Sequence, residues 1–232
     1  MSVPGRLTFR KPLQKQVTRR IRPRLRARRL GVGWGALRGC DSVTTSEFER
    51  AFAQFESSIA SPDLKEVAQY WRQICSPPRL PSWNDIRPNA IKAQLRIIWC
   101  YDYDPALDDF IGRLAGVAIT SLSKKPFKGA RLSELRPADK YPRSMIRAKR
   151  VLQEPALYRG YGLVYKTDDI GGIGERIVMP LRSAGNLPAA IFGAATFRSV
   201  IDWANAPSVD NKEDEQWFSL AGSVEMPIPA DA

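Results

Sequence analysis

The order of elements along the chain predicts an α+β fold built on an antiparallel sheet. Two amphipathic helical segments come first, and two strand-like runs, a helical connection and three further strand-like runs follow. Short turns join the last three runs, and strands joined by short turns are antiparallel. We therefore expect a five-stranded antiparallel sheet with a helical connection, preceded by two helices.

Apolar stripes predict the two N-terminal helices. Ser46 and Glu49 have the spacing of a capping box, and Ser61-Pro62 starts a second helix because proline is accepted at the first helical position. The stripes consist of Phe48, Ala51, Phe52, Phe55 and Ile59 in the first helix and Leu64, Val67, Ala68, Trp71 and Ile74 in the second. Each stripe must be buried, either on the domain behind it or on a second copy of the chain. The second option predicts a homodimer through these helices.

After the proline-rich stretch 76–88 and a short helical turn at 89–94, apolar residues recur at every second position. This spacing predicts a first strand in which Leu95, Ile97, Trp99 and Tyr101 share one face. A turn at 105–109 leads to a second strand at 110–115. There we expect Phe110 and Leu114 on one face and Arg113 on the other.

The rest of the chain divides into a helical connection, three strands and a tail. Short helical pieces at 116–136 and a longer helix near 139–153 form the connection. The last strands are predicted at 157–166, 176–183 and 189–198, with turns at 168–172 and 183–186. From residue 205 onward the chain reads as a polar tail, which Trp217, Phe218 and Leu220 could anchor. The expected divisions are an arm at 1–43, N-terminal helices at 44–76, the sheet domain at 77–200 and a tail at 201–232.

The net positive charge lies entirely at the N-terminus. The chain carries a net charge of +12, and its first 40 residues hold twelve Lys or Arg and no Asp or Glu. Taking these twelve from the totals of 36 basic and 24 acidic residues leaves 24 of each for residues 41–232. We therefore interpret residues 1–40 as a disordered basic arm on a neutral body.

Three interpretations of the arm stay open. It binds nucleic acid or an anionic membrane surface through charge attraction, or it is a targeting segment, or it has no function of its own. We favour the last, because a start at Val43 would remove the arm and leave an ordinary neutral protein. Nucleic-acid binding through residues 1–40 is the alternative function.

Missing residue types exclude several chemistries. The chain has no histidine, which excludes a Ser-His-Asp triad, an HExxH zinc site and haem held by a proximal histidine. Cys40, Cys75 and Cys100 are odd in number and widely spaced, as expected for reduced thiols in the cytoplasm. No apolar run is long enough to span a membrane. We expect a cytoplasmic protein without a membrane span.

No arrangement of side chains predicts catalysis. Four aspartates surround the first hairpin: Asp102, Asp104, Asp108 and Asp109. Their spacing does not fit a calcium loop, and turn chemistry explains them better. We therefore expect no catalytic residue and no metal site.

Several short segments, in order and spacing, resemble the bacterial PAS domain family. The segment 110–116, which contains the second predicted strand, is similar to the family signature F-x-x-R-L-A-G. The other segments are Tyr70-Trp71-Arg72, Leu80-Pro81, Asp85-Ile86, Pro88, the strand 97–101, Phe127-Lys128-Gly129, the run 132–135 and the run 178–181. Together the segments cover about residues 63–198.

The resemblance implies a sensory or regulatory protein whose sheet curls around a small-ligand cavity. Such domains often dimerise through flanking helices, which fits the homodimer option above. Only about 34 residues follow the matching region, so we expect a stand-alone, non-enzymatic sensor that passes its signal to another protein. The ligand is not identified. We expect neither haem nor a flavin adduct, because histidine is absent and the cysteines lie outside a flavin-binding motif.

Eight residues are the candidate ligand contacts: Trp99, Tyr101, Phe110, Arg113, Leu114, Met145, Tyr161 and Met179. For the apolar members the alternative is packing in the core. For Arg113 the alternatives are an exposed strand charge and a partner for an acidic ligand. Trp71 is interpreted as an anchor between helix and sheet.

Overall fold

The computed structural model of the chain describes residues 37–122, 125–166, 170–182, 188–201 and 214–224. Five α-helices lie at Leu37–Ser58 (α1), Pro62–Ile74 (α2), Val117–Thr120 (α3), Leu132–Leu135 (α4) and Tyr141–Gln153 (α5). Short 3₁₀ turns at Trp83–Asp85 and Pro88–Gln94 join α2 to the sheet. The strands are Ile98–Asp104 (β1), Asp109–Ala115 (β2), Ala156–Lys166 (β3), Ile170–Arg182 (β4), Pro188–Ile201 (β5) and Asp214–Ser219 (β6).

The strands form one antiparallel sheet in the order β2-β1-β5-β4-β3-β6. Helices cover both of its faces. Side chains such as Ile98, Cys100 and Phe192 point towards α1 and α2, whereas their neighbours Trp99, Tyr101 and Ile191 point towards α4 and α5. This alternation follows from the period of two along a strand. The α+β class and the two leading helices are confirmed.

The apolar stripe of α1 is buried within the chain. Phe48, Phe52, Phe55 and Ile59 are at most 5% exposed, and they belong to the same core as the sheet residues Leu157 and Ile177. The open alternative of sequence analysis is thereby decided: this stripe packs on its own domain. Among the side chains that the structure describes on these helices, the exposed ones are mostly polar and include Gln54, Ser57 and Gln69.

Trp71 anchors α2 to the sheet, as the sequence predicts. Its side chain is fully buried, its indole Nε1 donates a hydrogen bond to the carbonyl of Pro180 at 3.1 Å, and its ring stacks on Phe48. A buried indole N–H needs such an acceptor. Trp71 therefore fixes α2 to β4.

The sheet has six strands and not five, because the predicted polar tail contains β6. Trp217 and Phe218 are adjacent, so their side chains point to opposite faces of the sheet. Trp217 packs on Tyr158 with ring centroids 4.7 Å apart, and Phe218 packs on Phe55 at 5.7 Å. The two aromatic side chains attach β6 to both layers of the core.

β1 begins at Ile98, and the prediction that Leu95 and Ile97 share a face with Trp99 and Tyr101 is wrong. Leu95 and Ile97 precede the strand and pack in the core under α1 and α2, whereas Trp99 and Tyr101 face α4 and α5.

Two further boundaries differ from the predictions. α1 begins at Leu37, nine residues before Ser46, since no proline interrupts 37–61. β4 begins at Ile170 because its glycines make room for aromatic rings: a Cβ at Gly172 would lie 1.9 Å from the ring of Tyr165. Residues 168–169 and 183–186 of the predicted turns lie outside the described residues, as does the arm up to residue 36. No helix of the described part is long and apolar enough to cross a membrane.

Candidate functional site: the α5 face of the sheet

The candidate ligand face is the side of the sheet that α4 and α5 cover. We call its buried residues the α5-face cluster. They are Tyr101, Phe110, Phe127, Leu132, Met145, Ala148, Val151, Leu152, Tyr158, Val178 and Ile191. All are apolar or aromatic, and four of them come from α5. The helix supplies them because Met145, Ala148 and Leu152 recur at helical spacing.

Aromatic rings fill this face. Trp99 lies over Gly193, where a Cβ would come within 2.2 Å of the indole ring. Tyr101 contacts both Trp99 and Phe127, with ring centroids 5.5 Å and 4.7 Å apart. The chain's own aromatic side chains therefore occupy this part of the sheet face.

A small cleft opens at the rim of the α5-face cluster. Its volume is about 150 Å³, and it is lined by Tyr103, Lys149, Leu152, Gln153 and Pro188. This is below the roughly 300 Å³ at which small-molecule pockets begin. A ligand that enters here must displace side chains, and Leu152 is the cluster member at the entrance.

Asp108 organises the polar edge of this cleft. Lys149 donates to its carboxylate at 2.7 Å, and the Tyr103 hydroxyl donates to it at 2.6 Å. These two hydrogen bonds lower the pKa of Asp108, and the bond to the carboxylate raises the pKa of Tyr103 to about 12. At neutral pH the cleft edge therefore holds an anionic Asp108 and a neutral Tyr103.

The structure brings together four of the eight predicted ligand contacts. Tyr101, Phe110 and Met145 belong to the α5-face cluster, and the half-buried Trp99 packs against it. Tyr101 is buried, and burial raises its pKa to about 12, so its hydroxyl stays protonated.

The other four do not join them. Met179 is fully buried on the opposite face, among the residues under α1 and α2, because it is one position away from Val178 on β4. Tyr161 is 44% exposed. Arg113 and Leu114 lie at an irregularity of β2.

A shift of register explains the positions of Arg113 and Leu114. Gly112 pairs with Tyr101, but Leu114 pairs with Cys100, so one extra residue lies between them. Leu114 is thereby turned away from Phe110, and the prediction that the two share a face is wrong. Arg113 forms an ion pair with Asp102 at 2.6 Å and lies over the ring of Trp83. It is therefore an exposed strand charge that is paired with Asp102.

Sequence analysis missed several members of the cluster. Tyr158 and Val178 lie in predicted strands, and their period-two neighbours Leu157 and Ile177 face the other layer. Phe127 lies in a loop, two residues before Gly129, and carries no periodic signal. Leu152 and Val151 follow the helical spacing of α5, which was the one signal that could have found them.

The opposite face carries a buried ionic network. Glu175 of β4 accepts hydrogen bonds from the backbone N–H groups of Ala60 and Ser61, at 3.0 and 2.8 Å, and from Nε of Arg159 at 2.7 Å. Arg159 also pairs with Asp214 of β6. Glu175 is 3% exposed, so its charge is balanced almost wholly by these donors. The network joins the α1–α2 turn to three strands.

The two described cysteines and the hairpin residue Asp104 have structural roles. Burial raises the pKa of the Cys75 and Cys100 thiols to about 12, which leaves them protonated and unreactive. Asp104 accepts from the backbone N–H of Ala106 at 2.9 Å, as turn chemistry predicts. The described residues contain no group of three or more Cys, Asp or Glu that could hold a metal ion.

Comparison with known families agrees with this architecture. An antiparallel sheet with α4 and α5 on one face and the N-terminal helix pair on the other defines an α+β module. The model of the PAS domain family matches residues 59–196, and the chain belongs to this family. Membership indicates a sensory or regulatory role. A search of curated proteins and a search of solved structures returned no match.

Proposed function

We propose that this chain is a sensory or regulatory PAS protein without catalytic activity. A small ligand or a partner acts on the α5 face, and the sheet passes the change to α1 and α2. The proposal rests on the way side chains alternate along β1, β4 and β5, with successive residues pointing to opposite faces of the sheet. Neighbouring residues such as Ile177 and Val178 belong to the two opposite cores. A displacement of side chains on one face is thus transmitted to the other face through a single layer of backbone.

The chemistry of the α5 face favours an apolar or weakly acidic ligand. Its buried residues are apolar, and Lys149 at the rim supplies a cation. Met145 has a flexible side chain that can change rotamer to admit a ligand. Residues 1–36 lie outside the described part of the chain, so nucleic-acid binding by the basic arm stays a prediction from sequence.

Native mass spectrometry of the purified full chain tests the ligand. We expect a small bound molecule that is released on unfolding, without a visible absorption band. Leu152→Trp should abolish the adduct because the larger ring blocks the rim cleft. Ile146→Trp is the matched control, since Ile146 is 67% exposed on the outer face of the same helix. A visible chromophore bound one to one, or an adduct that survives Leu152→Trp, would contradict this assignment.

A further inference from the structure

A second and larger groove lies away from the α5 face, beside the segment that leads into β1. Its volume is about 390 Å³, within the range of small-ligand sites. β5 forms one side of the groove through Thr196 and Phe197, and the start of α2 contributes Asp63. Arg96, Ile97 and Ser121 form the remainder of the wall.

The β5 side of this groove is a strand edge. The backbone N–H of Ala195 donates to the carbonyl of Ile97 at 3.0 Å, which is the last hydrogen bond between β5 and the segment of β1. Backbone groups alternate along a strand, so the N–H and C=O of Phe197 point the same way, into the groove. Within the described ranges no residue pairs with Phe197 on this side. Such an edge is a template for another extended chain.

Two opposite charges border the same groove. Asp63 and Arg96 are both exposed. In the part of the chain that the structure describes, neither side chain has an ion-pair or hydrogen-bond partner. This distinguishes them from Arg113, Lys149 and Arg159, each of which is paired with a carboxylate.

We propose that this groove binds a short extended peptide with free ends. The peptide backbone pairs with β5 at Phe197, its terminal carboxylate pairs with Arg96, and its terminal ammonium group pairs with Asp63. Charge complementarity selects this ligand, because a peptide with free ends carries one charge of each sign beside backbone donors and acceptors. The site is separate from the α5 face and gives the proposed sensory function a second input.

Titration of the full chain with tri-alanine, followed by NMR of backbone amides, tests the site. We expect saturable shifts at Ala195–Phe197, Arg96 and the first turn of α2. Arg96→Gln and Asp63→Asn should each weaken binding by about tenfold or more, the effect of losing one hydrogen bond to a charged group. Lys92→Gln is the matched control, since Lys92 is an exposed cation of the adjoining 3₁₀ turn that does not line the groove.

Modified peptides separate the three contacts. Acetylation of the amino end should remove the effect of Asp63→Asn, and amidation of the carboxyl end should remove that of Arg96→Gln. N-methylation of the central amide should weaken binding because it removes a strand hydrogen bond. Equal binding of free and doubly blocked tri-alanine, unchanged affinity in both variants, or no saturation by about 10 mM would overturn the proposal. Leu152→Trp leaves this groove unchanged, so failure here is distinguishable from failure at the α5 face.

Discussion

Phe52→Ser together with Phe55→Ser is expected to unfold the domain. Both rings are buried, and Phe55 packs edge-on against Phe218 of β6. Truncating one buried phenylalanine costs about 3–5 kcal/mol, and the total stability of a domain is about 5–15 kcal/mol. Two such losses would remove most of the stability of the domain. Circular dichroism during urea unfolding measures the effect.

The matched control changes the exposed side of the same helix. Ala53→Ser together with Gln54→Ser should leave the urea midpoint nearly unchanged, since both positions are exposed. If the phenylalanine variant stays folded and only its oligomeric state falls, the stripe would be an interface between copies. That outcome would contradict the intramolecular packing.

Glu175→Ala is expected to destabilise the domain by about 3–5 kcal/mol. This is the usual cost of removing one partner from a buried ion pair. The change leaves the buried Arg159 guanidinium without its Nε acceptor and the N–H groups of Ala60 and Ser61 without theirs. The α1–α2 turn should loosen first, because its link to β4 is lost. Urea unfolding gives the free energy, and hydrogen exchange at 59–65 locates the change.

Asp214→Asn provides the comparison, because Asp214 bonds the same arginine but its side chain is 56% exposed. Its loss should cost about 1 kcal/mol or less. Equal effects of the two substitutions would show that Glu175 is not the centre of the network.

Local patterns predicted the elements that repeat regularly. The stripes of α1 and α2 are set by which residues must be buried, so these helices could be predicted from spacing. In the first strand the alternation placed Trp99 and Tyr101 correctly on one face, but not Leu95 and Ile97, which precede the strand and pack in the opposite core. β6 could not be predicted from spacing, because Asp214 and Glu215 give the segment a polar start and its partner β3 is distant in sequence. Pairing across such a distance leaves no periodic signal.

The candidate site was predictable only in part. Trp99, Tyr101 and Phe110 were found because they alternate along neighbouring strands. Leu114 was misplaced by an extra residue in β2, since a one-residue shift turns every later side chain to the other face. The volume of the cavity was not predictable, because it depends on Trp99 lying over Gly193, residues that are separated by most of the domain.

Hydrogen exchange after a substitution on the α5 face tests the central claim most directly. Ile191→Ala removes a buried side chain of the α5-face cluster, while Ala190 and Phe192 on either side face α1 and α2. We predict faster exchange in α2 as well as in α5 in the folded protein. Leu132→Ala, in the same cluster but on helix α4, should accelerate exchange in α4 and α5 alone. Exchange in α2 that is unchanged by Ile191→Ala would contradict transmission through the sheet.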